Sequence, residues 1–239
     1  MKSQKKKILE VENFTGFANK VKLFENVTFD LEESNTLVLY GPRGSGKSAL
    51  LRSFARLNEE IFDEIKYDGK VFLDQRDLFE YDIKQLRNLV FYSDTNFFEA
   101  LDYLTFGELI ELAIGNEFLP FEEYSSLLDD FGLLKSLDVG YKTKLSNLYV
   151  LEKISILLFL SYLKDSKLVI FDCILDHLDD DHLQKLSLII KKKILSEEKS
   201  LILATRFFKR FLPIADLFIS MKNGKIEFRG EPEEFTIAR

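Results

Sequence analysis

The sequence predicts an α/β fold: a mainly parallel sheet covered by helices, with an antiparallel β part near the N-terminus and a helical block inserted between its halves. Three observations carry this. Short apolar runs at 36–40, 88–92, 167–172, 200–204 and 217–220 alternate with helix-like segments, which is the rhythm of parallel βαβ units. Ahead of them, 7–13 and 20–32 alternate apolar with polar residues, as half-buried strands do. Between 105 and 164 strand alternation stops and helical spacing takes over.

In chain order, Lys7 to Asn13 is the first alternating stretch, and Lys20 to Glu32 the second, with Val21, Leu23, Val27, Phe29 and Leu31 on its apolar side. Thr36 to Tyr40 is apolar throughout and ends at Gly41, as a strand buried on both faces would. From Gly46 the spacing becomes helical, with Leu50, Leu51, Phe54, Ala55 and Leu57 on one face. Lys70 to Asp74 and Asn88 to Tyr92 are further strand candidates. Helices are expected over Phe106 to Ile114, Phe121 to Phe131 and Val150 to Leu163. Strands return at Lys167 to Asp172, Ser200 to Ala204 and Leu217 to Ser220. No repeat or low-complexity linker is visible and length alone allows one or two domains; taken with the motifs below, 1–239 is read as a single domain, in which 1–94 and 165–239 form the α/β part and 95–164 the helical insert.

Composition excludes several function classes. The 239 residues carry 33 Lys and Arg against 40 Asp and Glu, a net charge of −7, with 46% hydrophobic residues, so the chain can bury a large core. An acidic chain whose basic runs are as short as Lys5 to Lys7 and Lys191 to Lys193 is not expected to bind nucleic acid. One cysteine, Cys173, excludes an internal disulfide framework and fits a reducing compartment. Two histidines, His177 and His182, are too few for a Cys/His zinc site, and their spacing of five does not align them on one helix face. Apolar stretches such as Ile156 to Leu160 fall far short of the roughly 20 residues that span a bilayer. The 23 phenylalanines against no tryptophan call for a structural explanation.

Gly41-Pro42-Arg43-Gly44-Ser45-Gly46-Lys47-Ser48 matches the eight-residue P-loop pattern. Its glycines let the backbone curl so that successive N–H groups meet nucleotide phosphates, Lys47 places a charge on the β and γ phosphates, and Ser48 can ligate Mg²⁺. The flanks agree: a buried-strand pattern precedes the loop and an amphipathic helix pattern, through Ala49, follows it. A P-loop also needs a carboxylate at the end of a neighbouring parallel strand to hold the metal through water, and Asp172 stands at the end of such a run.

With these residues in hand the chain resembles the ATPase subunits of ABC transporters, and most closely those of phosphate importers. The resemblance covers nearly the whole chain and shows in Leu51 to Asn58, Gly69 to Asp74, Gln85-Leu86-Arg87, Asn96-Phe97-Phe98 and Asn223-Gly224-Lys225. Asp176-His177-Leu178-Asp179 stands where that family has its D-loop. Other family positions depart from the pattern. Cys173 occupies the catalytic glutamate position, and a thiol of ordinary pKa is mostly neutral at pH 7 and a poor water activator. Arg206 occupies the switch histidine position; it can donate to a γ-phosphate but cannot accept a hydrogen bond. Ser93 stands at the expected Q-loop glutamine. The family's Leu-Ser-Gly-Gly-Gln signature falls on Leu148 to Glu152 in one register and on Leu145 to Tyr149 in another, and both lose the glycine pair. The adenine-stacking aromatic falls near Ala18, with Phe17 beside it as the candidate.

The resemblance implies ATP and Mg²⁺ as ligands, membrane permease subunits as partners, a homodimer or heterodimer of ATPase subunits, and a cytoplasmic location on the inner face of the cell membrane. The departures imply that Mg–ATP is bound while hydrolysis is slow or lost. Two further readings stay open. One is a working ATPase in which Glu152, Asp176 or a partner residue replaces the glutamate. The other is a regulatory or structural module that keeps ATP as a stabilising ligand. Phe97, Phe98, Phe106, Phe118 and Phe121 crowd the insert, mostly as core, with any exposed subset suited to docking.

Overall fold

Strand pairing in the computed structural model, which describes residues 6–115 and 119–237, sorts the chain into two sheets. The strands are β1 (Lys7–Ala18), β2 (Val21–Glu32), β3 (Thr36–Tyr40), β4 (Ile65–Leu73) and β5 (Arg76–Asp77). They continue with β6 (Val90–Asp94), β7 (Leu168–Asp172), β8 (Ser200–Thr205), β9 (Leu217–Lys222) and β10 (Lys225–Gly230). The α-helices are α1 (Lys47–Ser53), α2 (Asn58–Ile61), α3 (Ile83–Leu89), α4 (Thr95–Ala100) and α5 (Phe106–Ile114). After them come α6 (Ser125–Asp130), α7 (Val150–Leu163), α8 (Asp180–Ile189), α9 (Phe208–Phe211) and α10 (Pro232–Ile237).

One sheet is antiparallel, in the order β2-β1-β4-β5. The other runs β10-β9-β3-β8-β7-β6, parallel from β9 to β6, with β10 joined antiparallel at its edge. The expected α/β class with an antiparallel β part is therefore what the chain adopts. The alternating stretch at the N-terminus runs to Ala18, further than its pattern indicated, because β1 absorbs register shifts between Val11 and Phe14.

Alternation along the parallel strands divides the core in two. Leu37, Leu39, Leu168, Ile170, Ile202 and Ile219 face the antiparallel sheet and α1, while Val38, Val169, Phe171, Leu201, Leu203 and Phe218 belong to the cluster built with α5, α6 and α7. Among the described residues of 95–164 there is no named strand, and the segment is anchored by caps. Thr105 Oγ1 accepts from the Glu108 N–H at 3.3 Å while the Glu108 carboxylate accepts from the Thr105 N–H at 2.7 Å, closing the start of α5. Phenylalanine builds this part of the core: Phe159 on α7 meets Phe106, Tyr124 and Phe131 at centroid distances of 6.0, 5.9 and 5.8 Å. A second cluster seals the far edge of the sheet, with Phe235 lying 4.5 Å from Phe218 and 5.1 Å from Phe228.

Of the insert aromatics, Phe98 and Phe106 are buried, Phe121 packs on the core, and Phe97 is 40% exposed; Phe118 lies outside the described residues. No helix among the described residues is long and apolar enough to cross a membrane.

Candidate functional site

Parallel register brings the chemistry to one edge of the six-stranded sheet. Tyr40 pairs with Thr205, Asp172 with Ala204, and Asp94 with Asp172, so the segments after β3, β7 and β8 and the end of β6 open side by side. They surround a cavity of about 640 Å³, a size that accommodates a nucleotide. Arg43 to Ala49 line it together with Asp172, Cys173 and Arg206.

Gly44 and Gly46 hold the loop in its curl, at φ of +78° and +96°, a region unfavourable for a side chain. A Cβ on Gly46 would also lie 2.8 Å from the Leu23 carbonyl oxygen. The loop is tied to both neighbours: the Gly41 N–H donates to the Thr205 carbonyl at 3.2 Å, and the Gly224 N–H to the Ser45 carbonyl at 3.0 Å. Lys47 is only 5% exposed, and its ammonium donates to the Gly41 and Pro42 carbonyls and to Ser45 Oγ at 2.7, 3.1 and 3.2 Å. Burial pulls its pKa below the usual lysine range, opposed by the Asp172 and Asp176 carboxylates.

Asp172 is 4% exposed. Its Oδ2 accepts from the Tyr92 hydroxyl at 3.1 Å, while Oδ1 has no hydrogen-bond partner. A buried carboxylate oxygen with no donor is costly unless a cation or its water faces it, so the donor set fits Mg²⁺. Ser48 lines the same cavity. Among the described residues no group of three or more His, Cys, Asp or Glu could hold a metal unaided, which suits an ion completed by phosphate oxygens and water.

Tyr92 escaped the sequence reading. Burial, reinforced by the Asp172 and Asp94 charges, pushes its hydroxyl far above the ordinary tyrosine range, so it stays a donor to Asp172. The signal was present in the period of two along β6, which puts Tyr92 and Asp94 on one side and Ser93 on the other. Ser93, at the position where the resemblance expects the Q-loop glutamine, is fully buried and its hydroxyl has no partner; Asp94, not Ser93, lines the cavity.

Cys173 follows β7 in the left-handed region at φ +61° and lines the cavity. Burial, with the neighbouring Asp172 and Asp176 charges, pushes its thiol up to about 12, so it is neutral at physiological pH. Neither proposed stand-in for a glutamate is free. Asp176, 1% exposed, accepts from the Thr205 hydroxyl at 2.5 Å and from Arg206. Glu152 accepts from the Tyr149 N–H at 2.7 Å and from the Ser136 hydroxyl, and it does not line the cavity. That capping places Tyr149, 80% exposed, at the N-cap of α7.

Phe17 is not among the cavity residues; Lys22 is, and its ammonium lies 6.0 Å from the Phe17 ring. The adenine-stacking expectation therefore finds no wall of this cavity built from Phe17. His177 stacks on Phe98 at 6.1 Å, and His182 Nδ1 lies 2.8 Å from Asp179 Oδ2.

The chain has counterparts in sequence and in fold. The family profile of "ABC transporter" matches residues 24–173. The energy-coupling factor transporter ATP-binding protein EcfA1 of Fusobacterium nucleatum is 27% identical over 229 residues, 94% of this chain and 83% of that protein. The phosphate import ATP-binding protein PstB of Tropheryma whipplei is 35% identical over 83 residues, so the match spans about a third of each chain, 35% and 32%. Among solved structures, cbiO1 from Clostridium perfringens, described as part of the ABC transporter complex cbiONQ, superposes with a TM-score of 0.77 at 17% identity, covering 98% of this chain and 92% of that one. A bacterial Atm1-family ABC exporter with ATP bound gives 0.75 at 15% identity over 96% of this chain and 40% of that one. With the profile covering more than half of the chain and the fold shared from end to end, the chain belongs to the ABC transporter family, as an ATP-binding domain.

Proposed function

We propose that the chain is the ATP-binding subunit of an ABC transporter, related to phosphate-import subunits, that holds Mg–ATP through Gly41 to Ser48 and Asp172 and turns it over slowly or not at all. The observation that carries this is the pairing of an intact P-loop with a neutral thiol at Cys173, where the family resemblance expects a carboxylate. Mg²⁺, when bound, would neutralise phosphate charge and fix the phosphate oxygens. Lys47 supplies a fixed cation, Ser48 and Asp172 the oxygen ligands or their waters, and Tyr92 keeps the Asp172 carboxylate oriented. Three carboxylates near the cavity are committed or remote: Asp176 is engaged, Glu152 is elsewhere, and Asp94 Oδ1 caps α4 through the Phe97 N–H at 3.0 Å, while Glu99 of α4 and His177 also line the cavity.

The phosphate-import reading draws on the local identity with PstB, and the EcfA1 likeness over nearly the whole chain supports the broader transporter assignment. Permease subunits and a second ATPase subunit, equal or different, are the proposed partners, at the inner face of the cell membrane. A groove between β6, α4, α5 and α7, lined by Phe91, Phe97, Leu109, Leu112 and Leu160, supplies apolar surface for a permease segment.

Titration calorimetry on the wild-type chain and Lys47→Ala, with single-turnover hydrolysis alongside, tests the reading. Wild type is expected to bind Mg–ATP, and Lys47→Ala to bind it roughly 10- to 100-fold more weakly, the worth of charged hydrogen bonds to phosphate. Turnover of the isolated chain above about 1 s⁻¹, the low end of ordinary enzymes, would overturn the slow-hydrolysis part.

A further inference from the structure

Asp176 and Arg206 lie 30 positions apart in the sequence, in separate loops, yet they form one unit. Asp176 sits in the single 3₁₀ turn after β7, Ile174–His177, and Arg206 directly follows β8. Because β7 and β8 are parallel neighbours, both segments leave the sheet at the same edge. The Asp176 carboxylate accepts three hydrogen bonds from the second loop: Thr205 Oγ1 at 2.5 Å on Oδ1, and the Arg206 N–H at 3.2 Å and Nε at 3.1 Å on Oδ2. The exposures of the two side chains differ sharply. Asp176 is 1% exposed, whereas Arg206 is 47% exposed and lines the same cavity as Lys47 and Asp172. A buried carboxylate thus grips one edge of the guanidinium while its other edge stays open to the nucleotide cavity, the geometry in which an arginine fork keeps donors for a phosphate. The β8 loop is itself pinned to the P-loop through the Gly41 N–H to Thr205 carbonyl bond at 3.2 Å, so Arg206 stands at a fixed place relative to Lys47. Its charge is near enough to weigh on Lys47, whose pKa it helps to lower.

We infer that Asp176 is the positioning residue of this site: its buried carboxylate holds Arg206 at the cavity wall as a rigid cation for the terminal phosphate of a nucleoside triphosphate, so that this chain's own residues distinguish a triphosphate from a diphosphate. The inference rests on the proposed nucleotide site and adds to it an Asp–Arg couple in place of a group that titrates near neutral pH. A side chain engaged on one edge by a buried anion loses little rotamer freedom when the phosphate arrives, which favours retention of the triphosphate. The couple also accounts for an aspartate in the turn that could not act as a base: without Arg206 and Thr205 it would be a buried unpaired charge.

The experiment measures the affinities of Mg²⁺ complexes of ADP and of a non-hydrolysable ATP analogue for wild type, Asp176→Asn, Arg206→Gln and the double variant, with thermal unfolding of each. Arg206→Gln keeps a donor for Asp176 and Asp176→Asn keeps an acceptor for Thr205, so both variants should fold. The expected result is a wild-type preference for the triphosphate that drops roughly tenfold in each single variant. ADP affinity should stay within about twofold, and the double variant should lose no more than either single one, because the two residues act as a unit. If both affinities fall together with thermal stability, or if the ratio is unchanged in every variant, the couple is only a staple between loops and the inference is overturned. If the two losses add, Asp176 does not act through Arg206 and is not its positioning residue. A wild-type chain that binds neither nucleotide overturns the functional reading, and this inference with it.

Discussion

Gly46 shows how far one residue type controls the site. It starts α1 at φ +96°, and a Cβ there would lie 2.8 Å from a backbone oxygen that cannot move aside. Gly46→Ala should therefore cost about 1 to 3 kcal/mol in chemical denaturation and weaken nucleotide binding together, through backbone strain. At the other end of the cavity the chemistry turns on Cys173. Its thiol, pushed up to about 12, contributes no base at any physiological pH. Restoring a carboxylate with Cys173→Glu should recover less than the roughly 10² to 10⁴ in rate that a general base supplies. The reason is that the glycine pair the resemblance expects is missing in both registers, with Val150 and Leu151, or Asn147 and Leu148, in its place. Single-turnover hydrolysis measures this, and full recovery by that one substitution would show that the start of α7 is no obstacle.

At the scale of elements, phenylalanine carries the helical insert. Phe159 of α7 is fully buried between rings of α5, the segment before α6, and the end of α6. Phe159→Ala should cost about 3 to 5 kcal/mol, whereas Phe97→Ala, at a 40% exposed position on α4, should stay within about 0.5 kcal/mol of wild type. A pair of midpoint measurements distinguishes the two. The two sheets are joined by an ionic node: Asp74, just past β4, binds Lys6 ahead of β1 and Lys167 ahead of β7. Those two lysines, Lys167 first, hold the Asp74 carboxyl below the usual aspartate range. Its stabilising effect is therefore complete above the unfolded value of about 3.9 and is lost as pH falls through the lower folded value. The stability gap between wild type and Asp74→Asn should be widest near neutrality and close on acidification below about pH 4, as read from denaturation midpoints over a pH series.

At the scale of the whole molecule, the sequence settles what depends on local pattern. Period-two alternation and short apolar runs mark eight of the ten strands at least in part, all but the two-residue β5 and the edge strand β10. β10 was also within reach, because Asn223-Gly224, both at positive φ, is the turn signal of a tight hairpin, and Lys225 to Gly230 alternates in burial. The helices Phe106–Ile114 and Val150–Leu163 coincide with the sequence expectation, since the amphipathic spacing of the first, the long apolar run of the second and the caps of both are local properties. The P-loop needed only eight adjacent residues, and its place between a buried strand and a helix is likewise local. What the chain could not announce is which distant side chains meet. Tyr92 and Asp172 are 80 positions apart, Asp176 and Arg206 are 30 apart, and each pair is joined by the parallel register of neighbouring strands. Alternation along β6 turned Ser93 inward and left Asp94 to line the cavity. Glu152 and Asp176, which composition alone left available as bases, were bound to other tasks once helix capping and ion pairing were satisfied. The sequence by itself determined the fold class and the phosphate loop, because both follow from short-range periodicity and backbone freedom. Only the tertiary structure decided which carboxylates are free and which cation faces the cavity, because those depend on how a parallel sheet aligns the ends of strands far apart in the chain.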